Sequence, residues 1–406
     1  MAKLGGISLA DSERKLTSGA AFLLAGPSKV SETLDVCGTG EITVLAGNPY
    51  LVARHADKQP DQLYWRGFEL AQEGLDLLSV TGKADLTLRD FSDEHILWWP
   101  AGKGQALRIT STFTMTADVP PVTLIVKNQS GEVIPSPPPP RHQHHPAFRY
   151  YRLSQVTEDL QDAMRNVYLA FELMLSDRYP KAKGKETEND WMRRSLAELA
   201  KDPNFPAALS KPPNEFVDHF MDHIYKGARL PLFHAKIGRD YYPPQAVADE
   251  RLVLSSAFDG VTRLVLRMFE GWHSVRRIGG ALYPKWVYEN MEKLFSGARM
   301  VASRHDVLDR TEKDLSHPRF KTAVAVETRV IPHRSAYEGP LVIAKFDRAA
   351  LATAGIVRLF ELINTKAPLM ANLLDVELET DGIDDLECHC RTRLANARQP
   401  KCLFTR

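Results

Sequence analysis

Thr157-Glu158-Asp159-Leu160-Gln161-Asp162-Ala163-Met164-Arg165-Asn166-Val167-Tyr168-Leu169-Ala170-Phe171-Glu172-Leu173-Met174-Leu175-Ser176 is the stretch from which the fold class is read. With Val156 ahead of them, Leu160, Ala163, Met164, Val167, Phe171 and Leu175 recur at spacings of three and four, the period of one helical face, which predicts a helix over 157–176. Outward from it, the lysine-rich loop Lys181 to Lys185 leads to a second helix near Asp190 to Ala200. A third starts after Pro213, with Asn214 as N-cap and Phe216, Phe220 and Ile224 along one face. A fourth runs from about Gln245 to Trp272 and carries Val253, Ala257, Val261, Leu264, Val265 and Met268. Helices with apolar stripes at such short spacing predict a four-helix bundle.

The flanks read differently. Five prolines lie within Pro135 to Pro140, and His142, His144 and His145 follow; this run stiffens a spacer and cannot join a helix or central strand. Before it come a helix at Asp61 to Val80, strand signals at Ile96 to Trp99, alternation through Leu107, Ile109, Ser111, Phe113 and Met115, and Val122 to Val126. After the bundle come a helix near Trp286 to Ser296, strands at Val324 to Val330 and Leu341 to Ile343, a helix at Ala349 to Asn364, and strands at Val376 to Leu378 and Leu386 to Cys390. The expected class is α+β multidomain, a central four-helix bundle between an N-terminal α+β domain and a C-terminal β-rich α+β domain. The expected boundaries are 1–134, a linker at 135–147, 148–278 and 279–406.

The 406 residues suit two or three domains, and 44% hydrophobic with 25% charged residues is globular usage. A net charge of +1 provides no global field toward nucleic acid or anionic lipid, so a polyanion site has to be a local patch. The N-terminus lacks a signal-peptide apolar core, and no apolar run is long enough to span a bilayer. Cys37, Cys388, Cys390 and Cys402 are too few for a disulfide framework, so a cytoplasmic location is expected.

Between the third and fourth helices lies Tyr225-Lys226-Gly227-Ala228-Arg229-Leu230-Pro231-Leu232-Phe233-His234-Ala235-Lys236-Ile237-Gly238-Arg239. Lys226, Arg229, Lys236 and Arg239 are four cations within fourteen positions, a density that can hold a phosphate backbone. Histidine accepts and returns a proton near neutrality, and arginine clamps a phosphate whose charge grows in the transition state. Arg229 and His234 are thus a minimal kit for cleaving RNA without metal, the 2′-hydroxyl serving as internal nucleophile. Arg-x4-His at this junction resembles the R-x4-6-H motif of HEPN domains. Phe148-Arg149-Tyr150-Tyr151, Arg165 to Glu172 and Leu232 to Lys236 resemble bacterial proteins described as methylamine-utilisation protein J-like. The HEPN resemblance covers roughly 148–275 and implies a HEPN-like bundle in a homodimer whose Arg229 and His234 form one composite site.

In that reading His234 handles the proton, Arg229 steadies the phosphate, Lys226, Lys236 and Arg239 hold RNA (tRNA among the candidates), and Glu172 supports the pair. The expectation is a HEPN-type endoribonuclease of stress response or phage defence, without cofactor or metal, triggered by a regulatory protein or nucleotide. Its alternative is a catalytically inactive scaffold binding nucleotide, RNA or protein, suggested by Leu230 where catalytic members carry a polar residue and by Pro231, which kinks a continuous helix. A third reading is an accessory factor in amine metabolism. Arg229 paired with Glu172 and His234 at a helix end is the purely structural reading.

His219 and His223 share one side of the third helix but lack a zinc protease's glutamate, so a solvated face is the simpler expectation. Solvated histidines in the proline linker, buried thiols at Cys388 and Cys390, a β core for Trp98-Trp99 and Phe113, and a solvated loop at Lys181, Lys183 and Lys185 are expected in preference to metal or base-stacking sites.

Overall fold

A computed structural model describes residues 2–11, 13–36, 38–56, 60–89, 93–117, 127–133, 144–157, 159–182, 184, 186–233, 248–275, 284–304, 323–333, 339–364 and 368–396. The chain divides into two compact units, one of Met1–Met115 with Tyr283–Leu394 and one of Thr116–Leu282 with Ala395–Arg406.

The first unit is a sheet. Its strands are β1 (Lys3–Leu4), β2 (Ile7–Ser8), β3 (Ser18–Leu23), β4 (Glu32–Val36), β5 (Gly40–Val44), β6 (Tyr50–His55), β7 (Glu94–Ala101) and β8 (Gly104–Ala117). After the second unit come β9 (Arg299–Ser303), β10 (Val324–Ile331), β11 (Leu341–Asp347), β12 (Ile356–Ile363), β13 (Pro368–Glu379) and β14 (Ile383–Asn396). They form one 14-stranded sheet in the order β2-β1-β13-β12-β9-β10-β11-β14-β8-β7-β3-β6-β5-β4. The two ends of the chain meet twice within it, at β8 beside β14 and at β1 antiparallel to β13, where Lys3 faces Glu379. Arg108 of β8 reaches Glu387 of β14 at 3.2 Å across the first junction.

Helix α1 (Pro60–Val80) packs across β3, β5 and β6. Gly67 and Gly74, seven residues apart, allow the close approach: a Cβ on Gly67 would stand 2.5 Å from that of Ala20, and one on Gly74 2.4 Å from Ile42 Cδ1. Phe22 meets Phe68 edge to face at 5.8 Å, and β3 and β6 are buried along their whole length. A single apolar core takes Trp98, Leu107 and Ile109 from the early strands and Ala344, Phe346, Phe360 and Leu378 from the late ones.

These observations correct the expected fold class. The dominant element is the 14-stranded sheet rather than a central bundle, and the two flanks are parts of that one sheet instead of separate domains. The physical reason is that every strand has two hydrogen-bonding edges, and β8 satisfies one of its own with a strand almost three hundred residues away. Periodicity reveals which face of a strand is apolar, not which strand lies beside it. A second correction concerns the helix expected at Ala349 to Asn364. Helix α10 (Arg348–Ala354), capped by Asp347 accepting from the Ala350 N–H, ends at Gly355 with φ 67°, and the apolar run beyond it is β12 between β9 and β13.

The second unit is helical: α2 (Ala147–Val156), α3 (Leu160–Arg178), α4 (Glu188–Leu199), α5 (Asn204–Ala208), α6 (Pro213–His219), a π-helix (Phe220–Arg229), α7 (Leu230–Phe233) and α8 (Ala248–His273). Asp159 caps α3 by accepting from the Asp162 N–H, and Thr187 caps α4 by accepting from Asp190. Met164, Val167, Phe171 and Leu175 of α3 join Phe216, Phe220, Val261, Leu264 and Met268 in its core. Phe171 stacks on Phe220 at 5.0 Å. Helix α9 (Pro284–Phe295) returns the chain to the sheet unit, burying Tyr288 and Phe295 there.

Candidate functional site

The winding changes where the candidate cluster is built. From Phe220 to Arg229 the chain forms a π-helix, and the Leu230 N–H bonds the Tyr225 carbonyl five residues back. Such wide turns are uncommon and gather at functional sites. Pro231, which has no N–H to donate, follows directly in the four-residue α7. Arg165 of α3 ties this segment down by donating to the Leu232 carbonyl at 3.1 Å.

Arg229 closes the π-helix and is half-buried among aromatic rings. Its guanidinium carbon lies 5.0 Å from the Phe233 ring centre, 5.4 Å from Tyr225 and 5.9 Å from Tyr168. Tyr225 and Phe233 are four residues before and after the arginine, and Tyr168 comes from α3. The Arg229 Nε is buried and has no hydrogen-bond partner among the described residues, and the same holds for the Tyr168 hydroxyl.

One turn along α3 from Tyr168 stands Glu172, half-buried. Burial, then a hydrogen bond to Glu188 and the charge of that second carboxylate, push Glu172 up from 4.5 to about 7, while Arg229 pulls the other way. The neighbouring carboxylate favours the protonated form of Glu172, which can then donate a hydrogen bond to it. Glu188, at the start of α4, also faces Lys181 at 3.3 Å. Burial, followed by the charge of Glu172, pushes the Tyr168 phenol up, and burial does the same to Tyr225. The arrangement therefore offers a fixed cation, a carboxyl that exchanges its proton near neutrality, and two phenols that stay protonated.

Of the residues expected from sequence, Arg229 and Glu172 come together here. Lys226 is exposed and pairs with Asp222 at 2.9 Å, one turn earlier on its own helix, so its charge is already engaged. His234, Lys236 and Arg239 lie outside the described residues. Sequence reasoning missed Glu188, Tyr168, Tyr225 and Phe233. The spacing of four on either side of Arg229 would have pointed to the two rings, whereas nothing in the sequence sets Glu188 against Glu172.

The other candidates resolve simply. His219 and His223 stack at 4.4 Å, and His223 Nδ1 lies 3.2 Å from the His219 carbonyl. No group of three or more His, Cys, Asp or Glu suited to a metal ion occurs among the described residues. His145 sits 3.9 Å from Asp177 with its ring 5.0 Å from that of His273, and burial pulls its pKa down. Cys388 and Cys390 are buried on β14, which pushes the Cys390 thiol up to about 12. Trp98 is core, and Trp99 lies under Arg108 at 5.6 Å. Lys181 is the partner of Glu188, and Lys183, Lys185, His142 and Val122 to Val126 fall outside the described residues. Among the described residues no helix is long and apolar enough to cross a membrane. No family model, no curated protein and no solved structure matches the chain.

Proposed function

We propose that the helical unit is an endoribonuclease that cuts RNA by acid–base chemistry at Arg229, Glu172 and His234. The observation that carries the reading is Arg229, whose buried Nε has no partner among the described residues, acting by its charge on a carboxyl pushed up to about 7. In this reaction one base takes the 2′-hydroxyl proton, the 2′-oxygen attacks phosphorus, and one acid returns a proton to the departing 5′-oxygen. The products are a 2′,3′-cyclic phosphate and a 5′-hydroxyl. Glu172 and His234 serve as the two proton-handling groups, and Arg229 carries the charge that builds on the phosphate. Lys236 and Arg239 extend the cationic grip, and a homodimer brings His234 of one copy to Arg229 of the other.

The test is cleavage of a tRNA mixture in EDTA by the native chain, His234→Ala, Glu172→Gln and Arg229→Lys. Activity should fall about 100-fold or more with each of the first two, and Arg229→Lys should lose most of it because lysine offers no planar fork. Mixing Arg229→Ala with His234→Ala should restore one intact site per mixed dimer. Undiminished cleavage by His234→Ala refutes the assignment. One observation favours a second reading, an inactive RNA-binding scaffold: Arg229 is already enclosed by three rings and Lys226 by Asp222. RNA retained on the native chain with no cleavage under these conditions supports it.

A further inference from the structure

We infer that Tyr225 is a further catalytic residue of the helical unit, its hydroxyl donating a hydrogen bond to a non-bridging oxygen of the same phosphodiester that Arg229 holds. The contact presupposes Arg229 as the clamp of the phosphate, the role proposed above. The winding of the chain sets the two side chains together. In a π-helix the hydrogen bonds close five residues apart instead of four, so the turn is wider and residues four apart come closer to one line than in an α-helix. Tyr225 and Arg229 are four apart within Phe220–Arg229, and the guanidinium carbon lies 5.4 Å from the Tyr225 ring centre. Burial pushes the Tyr225 phenol up, and of the charges around it Arg229 acts most strongly, ahead of Glu188, Glu172 and Lys181. The hydroxyl therefore stays protonated and remains a donor.

Two phenols flank Arg229, and access separates them. Tyr168 is fully buried with its hydroxyl shut in, so it does not reach a substrate. Tyr225 keeps 8% of its surface exposed, and its hydroxyl makes no hydrogen bond among the described residues. Turning to a ligand therefore breaks no bond within the fold. Charge selects the ligand class. Lys181 and Glu188 cancel as a pair, and Glu172 is neutral below about pH 7, so Arg229 leaves one net positive charge. A phosphodiester matches it with a single negative charge shared by its non-bridging oxygens, one facing the guanidinium and the other the phenol. Charge grows on those oxygens as the 2′-oxygen attacks phosphorus, and a fixed donor aimed there stabilises the transition state more than the ground state. No proton leaves Tyr225 in the step.

The experiment uses the full chain and a short fluorescein-labelled 2′-O-methyl RNA, which carries phosphodiesters but no 2′-hydroxyl to attack. Anisotropy titration at about pH 6 should show Tyr225→Phe binding the probe about tenfold more weakly than the native chain. Its melting temperature should stay put, since the deleted hydroxyl has no partner among the described residues. On tRNA in EDTA the same variant should lose roughly 100-fold in kcat. A native chain that binds the probe but cuts no RNA removes the nuclease reading, and a tenfold loss by Tyr225→Phe in that titration still upholds the phosphate contact. Tyr225→Phe binding the probe as tightly as the native chain overturns the contact while leaving the nuclease reading in place. A loss of affinity that comes with a lowered melting temperature marks a structural role and overturns it too, as does a native chain that does not bind the probe.

Discussion

Replacing Glu172 with glutamine should make the protein's stability less sensitive to pH. In the native chain this carboxyl holds its proton up to about pH 7, against 4.5 as its ordinary value. Below about pH 4.5 it is protonated in both folded and unfolded states, so its stabilising contribution is fully present and does not vary with pH. Between there and pH 7 the unfolded chain releases the proton while the folded one keeps it, so this group's contribution falls as pH rises and is gone above about 7. At 1.36 kcal/mol per pH unit the ceiling is about 3 kcal/mol, and water's access to the half-buried pair reduces it to about 1–2 kcal/mol. Glutamine keeps a neutral hydrogen-bonding head toward Glu188 at every pH. Urea unfolding from pH 5 to 8.5 should therefore show the native chain losing about 1–2 kcal/mol more than Glu172→Gln, the contributions of other titrating groups cancelling in the difference. Parallel curves for the two proteins, within about 0.5 kcal/mol throughout, would refute the raised pKa of Glu172.

Arg229→Met keeps the aliphatic stem but removes the charge from the three-ring cage, and urea unfolding should register a loss of about 1–2 kcal/mol. In the sheet unit Glu41, 3% exposed, accepts from Arg54 Nε at 2.6 Å and from Arg14 at 2.7 Å. Glu41→Gln strands the buried guanidinium and should cost about 3–5 kcal/mol, read as a lowered melting temperature. Cys388 and Cys390 are buried with thiols pushed up by burial, so a thiol reagent at pH 8 should modify at most two of the four cysteines until denaturant is added. Four modified thiols in the native state would contradict that burial.

Much local structure is legible in the sequence. Leu160 to Leu175 form α3 with the expected residues inward, the Asp61 to Val80 helix is α1, and the alternation through Leu107, Ile109 and Ser111 is β8, because an apolar face at a helical or strand period has one way to be buried. The run Ile356 to Ile363 misled because a short apolar stretch suits either a buried helix or a buried strand, and the position of Gly355 decides between them. At the candidate site the sequence pointed to Arg229 and, more weakly, to Glu172. It held no sign of Glu188, whose carboxyl gains its influence by proximity in space.

The amino-acid order on its own therefore settled the long periodic elements, α1, α3 and β8 among them, and which side of each is apolar. Tertiary structure alone decided that strands from both flanks share one sheet, that Glu188 stands against Glu172 and raises its pKa, and that three rings surround one guanidinium. Strand adjacency, a raised carboxyl pKa and a ring over a cation all arise between residues remote along the chain. Their energies depend on distance and on the exclusion of water, which no local pattern encodes.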